Sequence, residues 1–258
     1  MRRLGFYLLV SLSLALPAAS RADSAAAVAC AAPEEFVTSD EPLAQLSAAI
    51  AAGGPVSILA LGSATTVGAV KADGAPTATT SGTSFPWHMV AALHAALPNA
   101  TFRLTVRGGR GMTAEDMLPL LDAALKQQHY SLLLWQTGTV EAVRGSRPDG
   151  MLEVLHAGVE RMREAGGDVV LVDPQFSRFL RANTDLDPYT SVLQQVATMP
   201  GAVLFRRFDL MRVWANDGRI DLERTAKADR DKVLDTLNTC LGEALARFVL
   251  SAVDMQKK

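Results

Sequence analysis

The chain has 258 residues, of which 49% are hydrophobic and 20% are charged. Its 25 basic and 27 acidic side chains nearly cancel, and they form neither the basic stripe of a nucleic-acid surface nor a charged tail for a membrane surface. The length is enough for one α/β domain with a full hydrophobic core, so we expect no nucleic-acid partner and no second domain.

The first 22 residues have the three parts of a secretory signal peptide. Two arginines follow Met1, residues 6–16 form an uncharged, mostly apolar run, and Ser20 and Ala22 offer small side chains at both recognition positions for cleavage. The alternative is an uncleaved membrane anchor, but the apolar run is shorter than the roughly 20 residues of a spanning helix. We therefore predict a cleaved signal peptide at residues 1–22, a periplasmic or secreted protein, and no membrane span after cleavage.

The two cysteines, Cys30 and Cys240, both lie in the part that is predicted to be exported. A pair of cysteines in an oxidising compartment usually forms a disulfide, and the alternative is two buried free thiols. We predict the disulfide, which joins an N-terminal strap, residues 23–54, to the last helix of the chain.

Alternating apolar runs and amphipathic helices follow the strap, in which residues 41–52 predict one short helix. Continuous apolar runs predict buried strands at residues 56–61, 102–106, 131–135, 169–172 and 203–205. Helices lie between these runs, and a long helix follows the last one. Ser84 and Thr113 are predicted N-cap residues, Thr113 with Asp116 in a capping box.

This alternation predicts an α/β fold with crossover helices on both faces of a parallel sheet. The architecture is a three-layer α/β/α sandwich with a five-stranded, flavodoxin-like sheet, spanning residues 55–252 and followed by a tail at 253–258. In such a sheet the functional site lies beyond the carboxyl ends of the strands. The loops that follow the strands are therefore where candidate site residues are sought.

The loop after the first strand, residues 62–68, reads GSATTVG. It resembles the first block of the SGNH (GDSL-type) hydrolases, which is Gly-Asp-Ser-x-x-x-Gly or Gly-Ser-Ser-x-x-x-Gly. Gly62 and Gly68 match the two glycines of that block. Ala64 stands where the family has its nucleophilic serine, so the resemblance implies the hydrolase fold without its nucleophile.

The loop after the second strand resembles the family's block Asn-Arg-Gly-x-x-Gly. Arg107, Gly108 and Gly111 match, and Val106 stands in place of the asparagine. The resemblance implies that the backbone N–H of Gly111 belongs to the oxyanion hole. A glycine amide at a helix N-terminus is also a suitable oxyanion donor on physical grounds.

The loop after the third strand resembles the block Gly-x-Asn-Asp, in which the asparagine side chain is an oxyanion donor. Gly138 and Thr139 fit this block, but Val140 replaces the asparagine and has no polar group to donate. Two further segments, 173–175 and 208–214, resemble a bacterial branch of the family.

The family's final block, Asp-x-x-His followed by Asp and Tyr-x-Cys-Leu, has two possible registers in this sequence. Alignment on Asp235 and Cys240 places the acid at Asp229 and puts Lys232 where the basic histidine belongs. The other register, residues 221–224, runs from Asp to Arg and also lacks histidine. We prefer the first register because two further positions support it.

Other candidates for chemistry are weaker. Ser63 paired with Lys232 as a relocated nucleophile needs a desolvated lysine, and Thr65 meets the same difficulty. The four histidines lie away from the strand ends, and no spacing indicates a metal site. Arg107 and Arg110 beside a helix N-terminus leave an anion or nucleotide site open as an alternative, although the loop reads more simply as a tight turn.

We interpret the chain as an exported, SGNH-hydrolase-like pseudoenzyme with a binding or interaction role. The alternatives are an active esterase with a relocated nucleophile and an anion- or nucleotide-binding module. We expect neither a cofactor nor a metal. The resemblance implies an acylated glycan or a small ester as the ligand, and a protein partner is the alternative. The candidate pocket consists of loop residues at the strand ends: Ser63, Ala64, Thr65, Arg107, Gly108, Arg110, Gly111, Thr139 and Val140.

Overall fold

The computed structural model describes residues 30–68 and 83–254. The predicted signal peptide and the last residues of the predicted tail lie outside the described residues. No helix within the described ranges is long and apolar enough to cross a membrane.

Five strands form one parallel sheet. They are β1 (Pro55–Gly62), β2 (Thr101–Gly108), β3 (Leu132–Gln136), β4 (Asp168–Val172) and β5 (Ala202–Phe205). Their order across the sheet is β2-β1-β3-β4-β5, and every neighbouring pair is parallel. The predicted α/β sandwich with a five-stranded parallel sheet is confirmed, and each strand lies within two residues of its predicted ends.

The helices of the described ranges cover both faces of the sheet. They are α1 (Glu34–Val37), α2 (Ala44–Ala51), α3 (Ala64–Val67), α4 (Phe85–Ala96), α5 (Ala114–Leu125), α6 (Thr139–Arg144), α7 (Pro148–Glu164), α8 (Arg178–Asn183), α9 (Asp187–Val196), α10 (Arg207–Asn216) and α11 (Arg230–Asp254), with a 3-10 turn at Lys227–Asp229. Helix α2 begins three residues later than predicted, one residue after Leu43.

Alternate side chains of each strand enter two separate hydrophobic cores, because successive residues of a strand point to opposite faces. Ile58, Leu134 and Val170 pack with α1, α2, α4, α10 and α11 on one face. Leu59, Trp135 and Leu171 pack with α5, α7 and α9 on the other. Strands buried on both faces must be apolar throughout, which is why continuous apolar runs identified them correctly.

The N-terminal strap is fastened to the domain by a disulfide and by hydrogen bonds. Cys30 and Cys240 are bonded, with their Cα atoms 4.7 Å apart, so the predicted disulfide is confirmed. Beside it, the indole N–H of Trp214 donates to the carbonyl oxygen of Ala31 at 2.9 Å. The strap therefore adds Phe36 and other apolar side chains to the core beneath α11.

Both predicted N-cap residues are at the N-cap positions of their helices, but only one of them makes a side-chain capping bond. Thr113 and Asp116 form the complete capping box at the start of α5. Ser84 precedes α4, but its hydroxyl makes no capping bond and has no hydrogen-bond partner among the described residues. Pro86 has no N–H to donate, and the N–H of Trp87 donates to the backbone carbonyl of Ser84 at 3.0 Å instead.

Candidate functional site

The carboxyl ends of β1 and β2 meet through two glycines. A Cβ on Gly108 would lie 2.0 Å from the carbonyl oxygen of Gly62, and Gly108 has a φ of 124°, which only glycine adopts readily. The N–H of Gly109 donates to the same carbonyl at 3.2 Å. This contact brings the two predicted loops to one edge of the sheet.

Gln136, the last residue of β3, lies at the centre of this edge. Its side-chain oxygen is within hydrogen-bond distance of four donors, which are the N–H and the hydroxyl of Ser63, both at 3.1 Å, and the hydroxyls of Thr65 at 3.3 Å and Thr66 at 3.1 Å. An amide oxygen has two lone pairs, so the four donors share it. The turn between β1 and α3 is thus fixed to β3.

Ala64 is exposed at the first position of α3, where the family resemblance places the nucleophile. Ser63 is half-buried, and Gln136 is the partner of its hydroxyl. An amide oxygen does not take a proton from an alcohol at ordinary pH. Within the described residues, neither a histidine nor a carboxylate is hydrogen-bonded to Ser63, so this hydroxyl has no general base.

Arg207 lies under the turn and is only 1% exposed. Its Nε donates to the carbonyl oxygen of Asp173 at 3.1 Å, and its Nη1 donates to the hydroxyl oxygen of Thr65 at 3.2 Å. Its Nη2 has no hydrogen-bond partner among the described residues. Burial lowers the pKa of Arg207 to about 10, opposed by the charge of Asp173, so the guanidinium stays charged at neutral pH.

Asp173, whose backbone carbonyl accepts from this arginine, also has a buried carboxylate. Burial raises its pKa to about 7, while the backbone N–H of Phe208, 2.8 Å from Oδ1, and the charge of Arg207 act in the opposite direction. A carboxyl group with such a pKa is suited to proton transfer. Among the described residues, however, the donors to this carboxylate are backbone amides, and no hydroxyl of the turn donates to it.

A second buried carboxylate, that of Glu141, holds the starts of two helices together. It accepts from the N–H of Ala114 at 2.6 Å, from the hydroxyl of Thr137 at 2.6 Å and from the N–H of Gly138 at 2.8 Å. The N-terminus of α5 therefore already has an anion from within the protein. This arrangement removes the main physical support for an external anion at that helix.

The other residues of the candidate pocket surround this edge without a shared contact network. Arg107 and Arg110 are exposed, and Nη1 of Arg107 donates to the carbonyl oxygen of its neighbour Val106 at 3.1 Å. Gly111 has a φ of 79°, and its N–H makes no hydrogen bond within the described ranges.

Two pocket residues belong to the first turn of α6. Val140, which stands where the resemblance places the family's asparagine, is half-buried and has no polar group to donate. The hydroxyl of Thr139 is buried and has no hydrogen-bond partner among the described residues.

Both registers of the final block lie near the start of α11. In the preferred register, Asp229 ends the 3-10 turn and Lys232 is in the first turn of α11, and both side chains are exposed. In the alternative register, Asp221 forms an ion pair with Arg178 at 2.9 Å. Neither segment is hydrogen-bonded to Ser63 in the part of the chain that the structure describes.

Four residues at this edge, each at most 2% exposed, were not predicted as site residues: Gln136, Glu141, Asp173 and Arg207. Their signal in the sequence was a polar residue at the end of an apolar strand or shortly after it, in the following loop or the first turn of the next helix. Within residues 30–68 and 83–254, no group of three potential metal ligands is arranged to hold a metal ion.

A protein-family model described as the Non-GDSL lipase-like family matches residues 29–255. No curated protein sequence matches the chain. The resemblance of the loop blocks to the SGNH (GDSL-type) hydrolases is confirmed at the level of the family and the fold.

Several solved structures share the fold. Axe2, an acetylxylan esterase from Geobacillus stearothermophilus, has a TM-score of 0.57 and 16% sequence identity, over 77% of this chain and 94% of Axe2. LAE5, an α/β hydrolase enzyme from the metagenome of Lake Arreo, Spain, has a TM-score of 0.54 and 16% identity, over 74% of this chain and 96% of its own. TesA has a TM-score of 0.51 and 18% sequence identity, over 72% of this chain and 97% of TesA.

Proposed function

The chain belongs to the Non-GDSL lipase-like family, and we propose that it is an exported pseudoenzyme that binds a ligand at the carboxyl edge of its sheet without hydrolysing it. The observation that carries this proposal is the turn after β1. Ala64 occupies the exposed position where the resemblance places the nucleophile, and the hydroxyls of the same turn, those of Ser63, Thr65 and Thr66, all lie within hydrogen-bond distance of the amide oxygen of Gln136.

Three separate roles of acyl transfer lack a suitable side chain. A hydroxyl nucleophile, a base that removes its proton and donors for the oxyanion are all required. Ala64, Lys232 and Val140 stand at these positions. Loss of one side-chain oxyanion donor alone typically lowers kcat by roughly 100- to 1,000-fold. Because the three losses fall on different roles, no single residue compensates for them.

An active esterase with Ser63 as a relocated nucleophile is less well supported. The exposed ammonium of Lys232 lies in the first turn of α11, and lysine becomes a base near neutral pH only when it is desolvated. An anion- or nucleotide-binding module is also less well supported, because Glu141 already caps α5.

The ligand class that we propose is an acylated glycan or a small ester. Axe2 is an acetylxylan esterase, and this chain shares its fold at 16% identity. A fold that is shared without the catalytic residues is consistent with recognition of a related ligand, and function must still be tested at the site itself.

The first test is turnover of short acyl esters combined with labelling by a fluorophosphonate. We expect no turnover above background and no labelled serine. Ala64→Ser alone should restore little, because the base is still missing, whereas Ala64→Ser combined with Val140→Asn and Lys232→His should give weak activity. Ester turnover by the unmodified protein that is abolished by Ser63→Ala would contradict the proposal and favour the relocated nucleophile.

The second test measures binding and export. Acetylated xylo-oligosaccharides should raise the melting temperature in a concentration-dependent way, as any ligand of the native state does, and nucleotides should not.

The mature protein should begin near Asp23 by mass spectrometry of periplasmic or culture fractions. Thiol titration of the denatured, unreduced protein should find neither Cys30 nor Cys240 reactive.

A further inference from the structure

A groove runs along the lateral edge of the sheet, away from the candidate pocket. It has a volume of about 260 Å³ and lies between α9 on one side and the N-terminal strap on the other, with β5 as its floor. None of its lining residues belongs to the candidate pocket, so an inference about it does not depend on the proposed ligand site.

The floor of the groove is a strand with one unpaired side, because β5 pairs only with β4. The N–H of Val169 in β4 donates to the carbonyl of Gly201. The N–H of Asp173, the residue after β4, donates to the carbonyl of Phe205. Since alternate residues of a strand direct their backbone groups to opposite sides, the N–H and C=O of Leu204 point away from β4. Within the described ranges, neither group of Leu204 has a hydrogen-bond partner outside the sheet.

The strap side of the groove carries unpaired negative charge. Glu35, Asp40 and Glu41 line it, their side chains are exposed, and none of them forms an ion pair with another described residue. The one basic residue in the lining, Arg206, is 3.5 Å from Asp209 and lies over the ring of Phe36. The other side, formed by α9, contributes the uncharged Gln194 and Ala197.

We propose that this groove binds an extended, lysine-containing segment of a partner protein, which adds to β5 as a sixth strand. The backbone of the segment pairs with Leu204, as in other complexes where a peptide extends an open sheet edge. Successive side chains of an added strand point to opposite faces. One face therefore meets the acidic strap and the other meets α9, so the segment best suited to the groove alternates lysine with a small apolar residue.

The first test uses a fluorescein-labelled heptapeptide of alternating lysine and valine, with an alternating glutamate and valine peptide as its counterpart. Fluorescence anisotropy should show saturable binding of the lysine peptide only. Leu204→Pro removes the outward N–H without breaking a bond to β4, and we expect about tenfold weaker binding. Leu204→Ala, which keeps that N–H, is the matched control and should bind within about twofold of the wild type.

The second test changes the charge and leaves the strand intact. Asp40→Asn combined with Glu41→Gln should weaken binding of the lysine peptide by about tenfold at low salt, and the loss should shrink as salt rises. The control removes two exposed acidic charges elsewhere, on α7, by Asp149→Asn with Glu164→Gln. Circular dichroism and melting of each variant confirm that it is folded before binding is compared.

Three results would overturn the inference. The first is absence of saturable binding by the lysine peptide, and the second is equal binding of the glutamate peptide. The third is a dimer in analytical ultracentrifugation that Leu204→Pro dissociates, because the edge would then belong to a second copy of the chain. Loss of ester or glycan binding at the other site affects none of these readouts.

Discussion

Strand β4 has a buried aspartate at each end, and the two differ in their surroundings. Asp168 is its first residue and Asp173 follows its last residue, and each is 2% exposed. At the amino end, Asp168 accepts from the N–H of Leu46 at 2.9 Å, in the first turn of α2. At the carboxyl end, Asp173 accepts from the N–H of Phe208 and lies beside the guanidinium of Arg207.

The two ends of β4 differ in what accompanies the buried aspartate. Asp168 caps a helix of the strap and has only backbone donors, and burial raises its pKa to about 6. Asp173 is accompanied by a buried cation whose Nη2 is unpaired among the described residues and whose Nη1 reaches Thr65. A buried cation beneath a turn of hydroxyls is not needed to close a sheet, and its presence supports the proposed ligand site at this end.

The largest expected effect comes from removing the cation. Arg207→Met should lower the free energy of unfolding by about 3–5 kcal/mol at pH 8, since it leaves the carboxyl group of Asp173 buried without its partner. The pKa of Asp173 is raised to about 7, so at pH 5 this group is already protonated and the loss should be smaller. Urea unfolding at both pH values measures the difference.

The neighbouring Arg206→Met is the matched control for Arg207→Met, because Arg206 is exposed, with Asp209 and the ring of Phe36 as its contacts. Its effect should stay below about 1 kcal/mol. The double variant Arg207→Met with Asp173→Asn should recover part of the loss. Equal destabilisation by Arg207→Met at pH 5 and pH 8 would show that the carboxylate of Asp173 is not what the arginine stabilises.

The next effect tests the other end of β4. The folded-state pKa of Asp168, about 6, lies above its ordinary value of 3.8, so between pH 4 and 6 the folded protein binds more protons than the unfolded chain. Stability from this group is therefore fully present below pH 4 and is lost as the pH rises through 6, by an amount on the order of 3 kcal/mol.

Asp168→Asn removes this titration. The difference in unfolding free energy between Asp168→Asn and the wild type should move in favour of the variant as the pH rises from 4 to 7.5. Asp187→Asn, at the exposed start of α9, accounts for the loss of one surface charge. A difference that does not change with pH would mean that Asp168 has the same pKa in the folded and unfolded chains.

The strands were predictable from the sequence because each is buried on both faces and therefore consists of a continuous apolar run. The shortest predicted run, at β5, was correct as well, since Val203 and Phe205 are both buried. Ser84 was correctly predicted as the N-cap residue of α4, but its hydroxyl makes no capping bond, because Pro86 has no N–H and the N–H of Trp87 donates to the backbone carbonyl of Ser84. The disulfide was predictable because the chain has only two cysteines.

The polar network of the candidate site was harder to predict. Gln136 and Arg207 are about 70 residues apart, and they are connected only through Thr65. Family motifs identify positions that match or fail to match, so they drew attention to Ala64 and Val140. Such motifs do not show which other polar side chains meet at the site. Those neighbours depend on contacts between strand ends that are far apart in the sequence.

The smallest of the three effects concerns Gln136 itself, and it tests whether this side chain fixes the turn between β1 and α3. Gln136→Leu places an apolar side chain of similar size at the end of β3 and removes the amide oxygen that accepts from Ser63, Thr65 and Thr66. The hydroxyls can rotate toward other partners, but the half-buried N–H of Ser63 cannot, so we expect a loss of about 2 kcal/mol in unfolding free energy. Ser63→Ala, which removes one of four donors and leaves that N–H paired, should cost less than about 1 kcal/mol. Hydrogen exchange of the Ser63 amide gives the local readout and should become faster in Gln136→Leu only. Equal exchange in both variants would show that the turn holds its shape without Gln136. The close contact between Gly62 and Gly108 would then be what fixes it.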